Sequence, residues 1–146
     1  MLAENRFLKS FLLISLAGLA ILGFNLFFLT PFLTRSAGPG SAQIVYIVVR
    51  VLVFVGLGWC LTRYALRNRF QVLSTALLLG AIDQCVFKWF VVKHEIAQDP
   101  AGWAGVTDAT VAYNVATGFL FFAPFILLLG FLGVQLTVLG REWKRG

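Results

Sequence analysis

The sequence predicts an all-α, polytopic membrane protein, a single domain over residues 1–146 with four transmembrane helices and both chain ends in the cytoplasm. Three observations predict it. The chain is 60% hydrophobic and 12% charged, far more apolar surface than one small water-soluble core can enclose. Four apolar runs, residues 11–30, 44–61, 72–92 and 111–139, are long enough for a hydrocarbon layer of about 30 Å, which takes about 20 helical residues to cross. Lysine and arginine fall in clusters that alternate with these runs, as the positive-inside rule requires.

The first run follows Arg6 and Lys9. Its apolar core exceeds the roughly 7–15 residues of a cleavable signal sequence, so a retained helix is expected despite the small residues Ser36-Ala37-Gly38 beyond it. Residues 36–41, Ser-Ala-Gly-Pro-Gly-Ser, read as a short breaker-rich loop. The second run is followed by Arg63, Arg67 and Arg69, and the fourth by Arg141, Lys144 and Arg145. These clusters share the inner side with Arg6 and Lys9. Arg35 alone marks the first outer loop, and Lys93, Glu95, Asp99 and Asp108 the second. Trp59 and Trp143 then fall near the inner interface, Trp89 and Trp103 near the outer one. The fourth run is long enough to tilt, and Pro124 within it is a candidate kink. No run alternates apolar and polar residues as a membrane barrel strand must, and no internal repeat divides the chain into duplicated halves.

Several function classes lose support at this level. The net charge of +6 is spread over short clusters between apolar runs, which fits anionic headgroups rather than nucleic acid. Cys60 and Cys85 lie inside apolar runs and offer neither a disulfide framework nor a CxxC metal site. His94 is the single histidine, so no transition-metal set is expected. No phosphate-binding glycine loop, nucleophile with an adjacent base, or haem histidine pair occurs, and no cofactor is expected.

Charge at membrane depth is the informative feature, because each such group costs at least about 2.5 kcal/mol and needs a partner or a purpose. Arg50 lies six residues into the second run, about 9 Å deep at 1.5 Å per residue. Asp83 lies nine residues from the outer end of the third, about 13 Å deep. Those depths permit a pair that neutralises itself and fixes the packing of two helices. The alternative is that Asp83, flanked by Gln84, is a catalytic or proton-handling carboxylate. Lys88 is near enough the outer interface to snorkel. The fourth run opens with Tyr113-Asn114-Val115-Ala116-Thr117-Gly118 at a similar depth. Asn114 and Thr117, three apart, share a helical face and could bond Asp83, a visiting peptide or a neighbouring helix.

At these residues the chain resembles the lipoprotein signal peptidase family, the intramembrane aspartyl enzymes also called signal peptidase II. Members of that family have four helices with both termini inside. One catalytic aspartate closes a Gly-Asn-x-x-Asp-Arg stretch in helix three and the other a Phe-Asn-x-Ala-Asp stretch opening helix four. The matching stretches here are Leu79-Gly80-Ala81-Ile82-Asp83-Gln84 and Tyr113-Asn114-Val115-Ala116-Thr117. Their order, topology and separation agree, and the resemblance covers roughly residues 44–139.

The departures fall on the chemistry. Thr117 stands at the second aspartate, Gly80 at the asparagine and Gln84 at the arginine. The first helix lacks the family's Asp-Gln-x-x-Lys motif, and the first outer loop is too short for its periplasmic cradle. Asp108 is the nearby acid that would have to stand in by folding back. The resemblance therefore implies a protein of a bacterial-type inner (cytoplasmic) membrane in which catalysis by the family mechanism has been lost.

The leading expectation is a non-catalytic relative that binds a membrane helix or a lipid-modified segment in a lateral groove. Asp83, Asn114 and Thr117 would line that groove, with Arg50 setting the charge of Asp83. Its partners are the lipid bilayer and another membrane protein or lipoprotein segment. A different class is an accessory subunit of a larger membrane complex, with Phe119, Phe121, Phe122, Phe125 and Phe131 as contact surface. A surviving aspartyl peptidase and a small proton-coupled transporter using Asp83 and Arg50 complete the set.

Overall fold

The structure, a computed structural model, describes residues 2–65 and 68–143. Arg67, Lys144 and Arg145, three residues of the basic clusters that follow the second and fourth runs, lie outside the described residues. Among the described residues the regular structure is entirely helical. Four helices are long and apolar enough to cross a membrane.

The first helix runs Leu2–Phe24, widens into a π turn at Asn25–Leu29, and continues through Thr30–Ala37. Pro31 accounts for the widening, since its ring has no N–H to give and crowds the carbonyl one turn back. Thr30 compensates: both its backbone N–H and, at 2.7 Å, its hydroxyl donate to the Asn25 carbonyl. Beyond the apolar run, Thr34 and Ser36 donate back to the carbonyls of Thr30 and Phe32 at 2.8 and 3.0 Å. The helix therefore outlasts its hydropathy and ends only at Gly38, whose φ of 89° reverses the chain into Pro39. The loop expected over residues 36–41 is reduced to that one glycine, because a fall in hydropathy does not end a helix but a left-handed residue followed by proline does.

The second helix, Pro39–Tyr64, ends before the connection that holds Asn68. The Asn68 side chain caps the third helix by accepting from the Phe70 N–H at 2.9 Å. The third helix runs Arg69–Ala81, passes through a second π turn at Ile82–Phe87, and finishes as Lys88–Gln98. The following turn is tied by Asp99, which accepts from the Gly102 N–H at 3.0 Å, and passes through Gly105 at φ 87°. Thr107 then accepts from the Thr110 N–H at 3.3 Å as the fourth helix, Asp108–Trp143, begins. Pro124 sits within that continuous helix.

The four helices run up and down. Leu61, Val72 and Val134 cluster with Phe11 and Ile14, which brings the start of the first and third helices and the end of the second and fourth to one end of the bundle, here the basic end. Gly38 and the 99–107 turn form the other, here the turn end. The second helix packs on the first and fourth, and the third lies chiefly on the fourth. Leu22, Phe54, Leu57, Ala76, Leu79 and Ile126 form the main apolar core. Outside it, Leu13, Leu16, Phe28, Leu52, Leu120 and Phe121 are exposed, while Asn25, Thr75, Asp83, Gln84 and Thr137 are buried. Apolar without and polar within is the arrangement lipid imposes.

The second and fourth helices touch backbone to backbone. A β-carbon on Gly58 would collide with the Gly130 carbonyl, and one on Gly133 with the Val55 carbonyl and the Trp59 nitrogen. Helix association in hydrocarbon depends on such close van der Waals contact, which small residues permit.

Candidate functional site

Toward the turn end, the two intramembrane charges meet. Arg50 Nε donates to Asp83 Oδ2 at 2.9 Å, and Arg50 Nη2 to Oδ1 at 2.8 Å and Oδ2 at 2.6 Å. The Asp83 side chain is 0% exposed and that of Arg50 11%. Gln84 Nε2 adds a fourth hydrogen bond to the carboxylate, donating to Oδ2 at 3.0 Å. A forked guanidinium on a carboxylate is the geometry in which a charge pair is most strongly hydrogen-bonded. It is also the arrangement in which each charge most depends on the other, since removing one leaves a buried ion unpaired.

Two features of the backbone build this site. Tyr46 precedes Arg50 by four residues and so lies on the same face of the second helix. Its ring sits under the guanidinium, 3.6 Å from centroid to Cζ, and supports it by cation–π attraction. On the third helix, Asp83 and Gln84 are consecutive, and a regular α-turn would separate their directions by about 100°. They belong to the π turn at Ile82–Phe87, and both are buried. Single π turns inside α-helices occur frequently at functional positions.

The other π turn faces the same region. Asn25, which opens it, is 1% exposed, and its Nδ2 donates to the Tyr46 carbonyl at 3.3 Å. Three helices thus converge on one polar cluster: Asn25 from the first, Tyr46 and Arg50 from the second, Asp83 and Gln84 from the third. Asn25 Oδ1 and Arg50 Nη1 are buried with no hydrogen-bond partner among the described residues.

Of the four residues that the sequence singles out, the structure brings Arg50 and Asp83 together. Asn114 and Thr117 lie on exposed positions of the fourth helix. Thr117 donates its hydroxyl to the Tyr113 carbonyl of its own helix at 2.7 Å, and among the described residues neither it nor Asn114 has a hydrogen bond to Asp83. Lys88 is half-buried, with Nζ beside Gly118. Asp108 is held at the turn end by Lys93, Nζ to Oδ1 2.6 Å. Among the described residues no three histidine, cysteine or acidic side chains gather where a metal ion could be held. His94 lies exposed beside Gln98, with Nε2 and Nε2 2.9 Å apart.

Asn25 and Tyr46 join the site from outside the set of residues that intramembrane charge singles out. Asn25 is a lone amide within a long apolar run, and Tyr46 stands one helical turn before the intramembrane arginine. Both are signals of a polar contact inside a bundle.

A separate recess opens sideways between the first and second helices. It measures about 500 Å³ and is lined by Ala17, Gly18, Ile21, Val49, Gly56 and Leu57 among other apolar residues, with no charged side chain in its wall. None of Arg50, Asp83, Asn114 and Thr117 lines it.

No protein-family model, curated protein or solved structure matches this chain.

Proposed function

We propose that this chain is a non-catalytic membrane protein with the topology of the lipoprotein signal peptidases, which seats an apolar membrane helix or lipid-modified segment in the recess between its first two helices. The recess carries the reading. Lipid offers no hydrophobic gain to helices that associate within it, so a bound helix must be held by close packing. Ala17 and Gly56 supply a wall low enough for a second backbone to approach, and a β-carbon at Gly56 meets nothing within 4 Å.

The state of Asp83 supports the non-catalytic part. An aspartyl mechanism requires two carboxylates that share a proton, one of them free to activate water. Both oxygens of Asp83 are already engaged by Arg50 and Gln84. The position that matches the second aspartate is Thr117, bonded to its own helix, and Asp108 is tied to Lys93. Arg50 and Asp83 act here as a pin that fixes the second and third helices, leaving the face between the first and second for a partner.

Gly56→Leu tests this directly. A β-carbon at Gly56 meets nothing within 4 Å, so the substituent enters the recess without disturbing the bundle. Purification from native membranes in mild detergent, with mass spectrometry of what accompanies the chain, is expected to recover a single-helix or lipoprotein partner with wild type and to lose it with Gly56→Leu. A lone wild-type protein, or a partner kept by the filled recess, would sink the reading. The second of those results points to the accessory-subunit alternative. That alternative rests on the exposed aromatic cluster of Phe121, Phe122 and Phe125 on the fourth helix, whose ring centroids lie 5.5–6.4 Å apart.

A further inference from the structure

At the basic end, between the second and fourth helices, a cleft of about 240 Å³ is lined by Trp59, Arg63, Leu136, Thr137, Gly140 and Arg141. Its chemistry differs from that of the recess, for two arginines line it. Arg63 lies 5.3 Å from the Trp59 ring and 5.5 Å from the Tyr64 ring, contacts that orient its side chain without neutralising it. Among the described residues neither Arg63 nor Arg141 has a carboxylate partner. Across residues 62–71 and 140–146 the sequence places six basic residues against one acid, Glu142. The second helix ends here and the fourth nears its end, so the carbonyls contribute roughly half a negative charge for each helix. Two full positive charges outweigh that, and the cleft is left electropositive at the level where a helix leaves the hydrocarbon.

We propose that this cleft binds the phosphate of an anionic phospholipid. The guanidiniums of Arg63 and Arg141 would take the phosphate oxygens, a geometry to which arginine is suited by its planar fork. Trp59, whose indole is an amphipathic ring at the headgroup level, would cover the glycerol backbone, and exposed Leu136 would meet the upper acyl chain. Gly140 leaves the floor open: a β-carbon there meets nothing within 4 Å. Basic pockets between transmembrane helices are a recurrent means of retaining anionic headgroups.

The test is native mass spectrometry of the full-length protein released from mixed micelles that contain equal amounts of phosphatidylglycerol and phosphatidylcholine. Wild type is expected to retain one phosphatidylglycerol in preference. Arg63→Gln with Arg141→Gln is expected to lower that preference roughly 30-fold, the product of two interfacial charges, whereas the double lysine variant keeps most of it. Gly140→Leu fills the floor and abolishes retention, with its thermal melt confirming that the bundle is intact. Equal retention of both lipids by wild type, or a preference that survives the double glutamine variant, overturns the proposal. Displacement of the bound lipid by millimolar inorganic phosphate overturns it too, because the cleft would then be a site for a free anion.

Discussion

The two ends of the bundle are fastened by different means. Toward the turn end, Asn25, Tyr46, Arg50, Asp83 and Gln84 join three helices through charge and hydrogen bonds, and two of those helices widen into π turns to present them. Toward the basic end, Gly58, Gly130 and Gly133 let the second and fourth helices touch along their backbones, with Thr137 as a minor polar contact. The first kind of fastening is directional and intolerant of losing a member. The second is steric and intolerant of gaining an atom. Both answer one constraint, that lipid gives apolar side chains no reason to leave it.

This contrast predicts an order of effects, measured as unfolding free energy in mixed micelles. Arg50→Leu or Asp83→Leu alone is expected to destabilise by about 3–5 kcal/mol, because the remaining ion is left buried and unpaired. The double variant should recover most of that loss. If the double variant is instead as unstable as either single one, the charge pair is not an independent fastening and the contrast fails. Gly58→Val, at the other end, is expected to cost about 1–3 kcal/mol through overpacking. Unlike the charge deletion, it has no partner substitution at Gly130 that restores it, since the obstacle is a backbone carbonyl.

Smaller effects sharpen the picture. Asn25→Leu removes one interhelical hydrogen bond and should cost about 0.6–1.7 kcal/mol, the span seen for such bonds in membrane bundles. Thr137→Val is expected to cost less than about 0.6 kcal/mol, because its hydroxyl already bonds the Gly133 carbonyl of its own helix at 3.2 Å and reaches the Trp59 carbonyl at only 3.4 Å. Lys93→Ala breaks an ion pair whose members are 41% and 72% exposed. It should change stability by no more than about 0.5 kcal/mol. A larger loss there would mean that the turn end depends on its surface as well as on its interior.

Legibility in the sequence follows the same division. Arg50 and Asp83 stand out from their runs because a charge at that depth demands an account, and their depths agree closely enough to anticipate a pair. Asn114 and Thr117 share a helical face, but which way that face turns depends on how the fourth helix packs, and hydropathy is silent on rotation about a helix axis. The structure turns both to exposed positions. Asn25, a lone amide in an apolar run, and Tyr46, one turn before Arg50, signal a polar contact, but the groups they meet are decided only where three helices converge.

What the sequence by itself determined is the number and order of the spans, a reversal somewhere within the breaker-rich residues 36–41, and the presence of two opposite charges that could not be left alone in lipid. These are local properties, settled by run length, backbone conformational limits and the cost of a buried ion. What only the tertiary structure decided is the forked pairing of Arg50 with Asp83, the π turns that direct Asp83, Gln84 and Asn25 inward, the glycine seam, and the position of the lateral recess away from every residue expected to line it. Those depend on how each helix is rotated and how closely it approaches its neighbours, which is set by the mutual packing of all four and is written in no single segment.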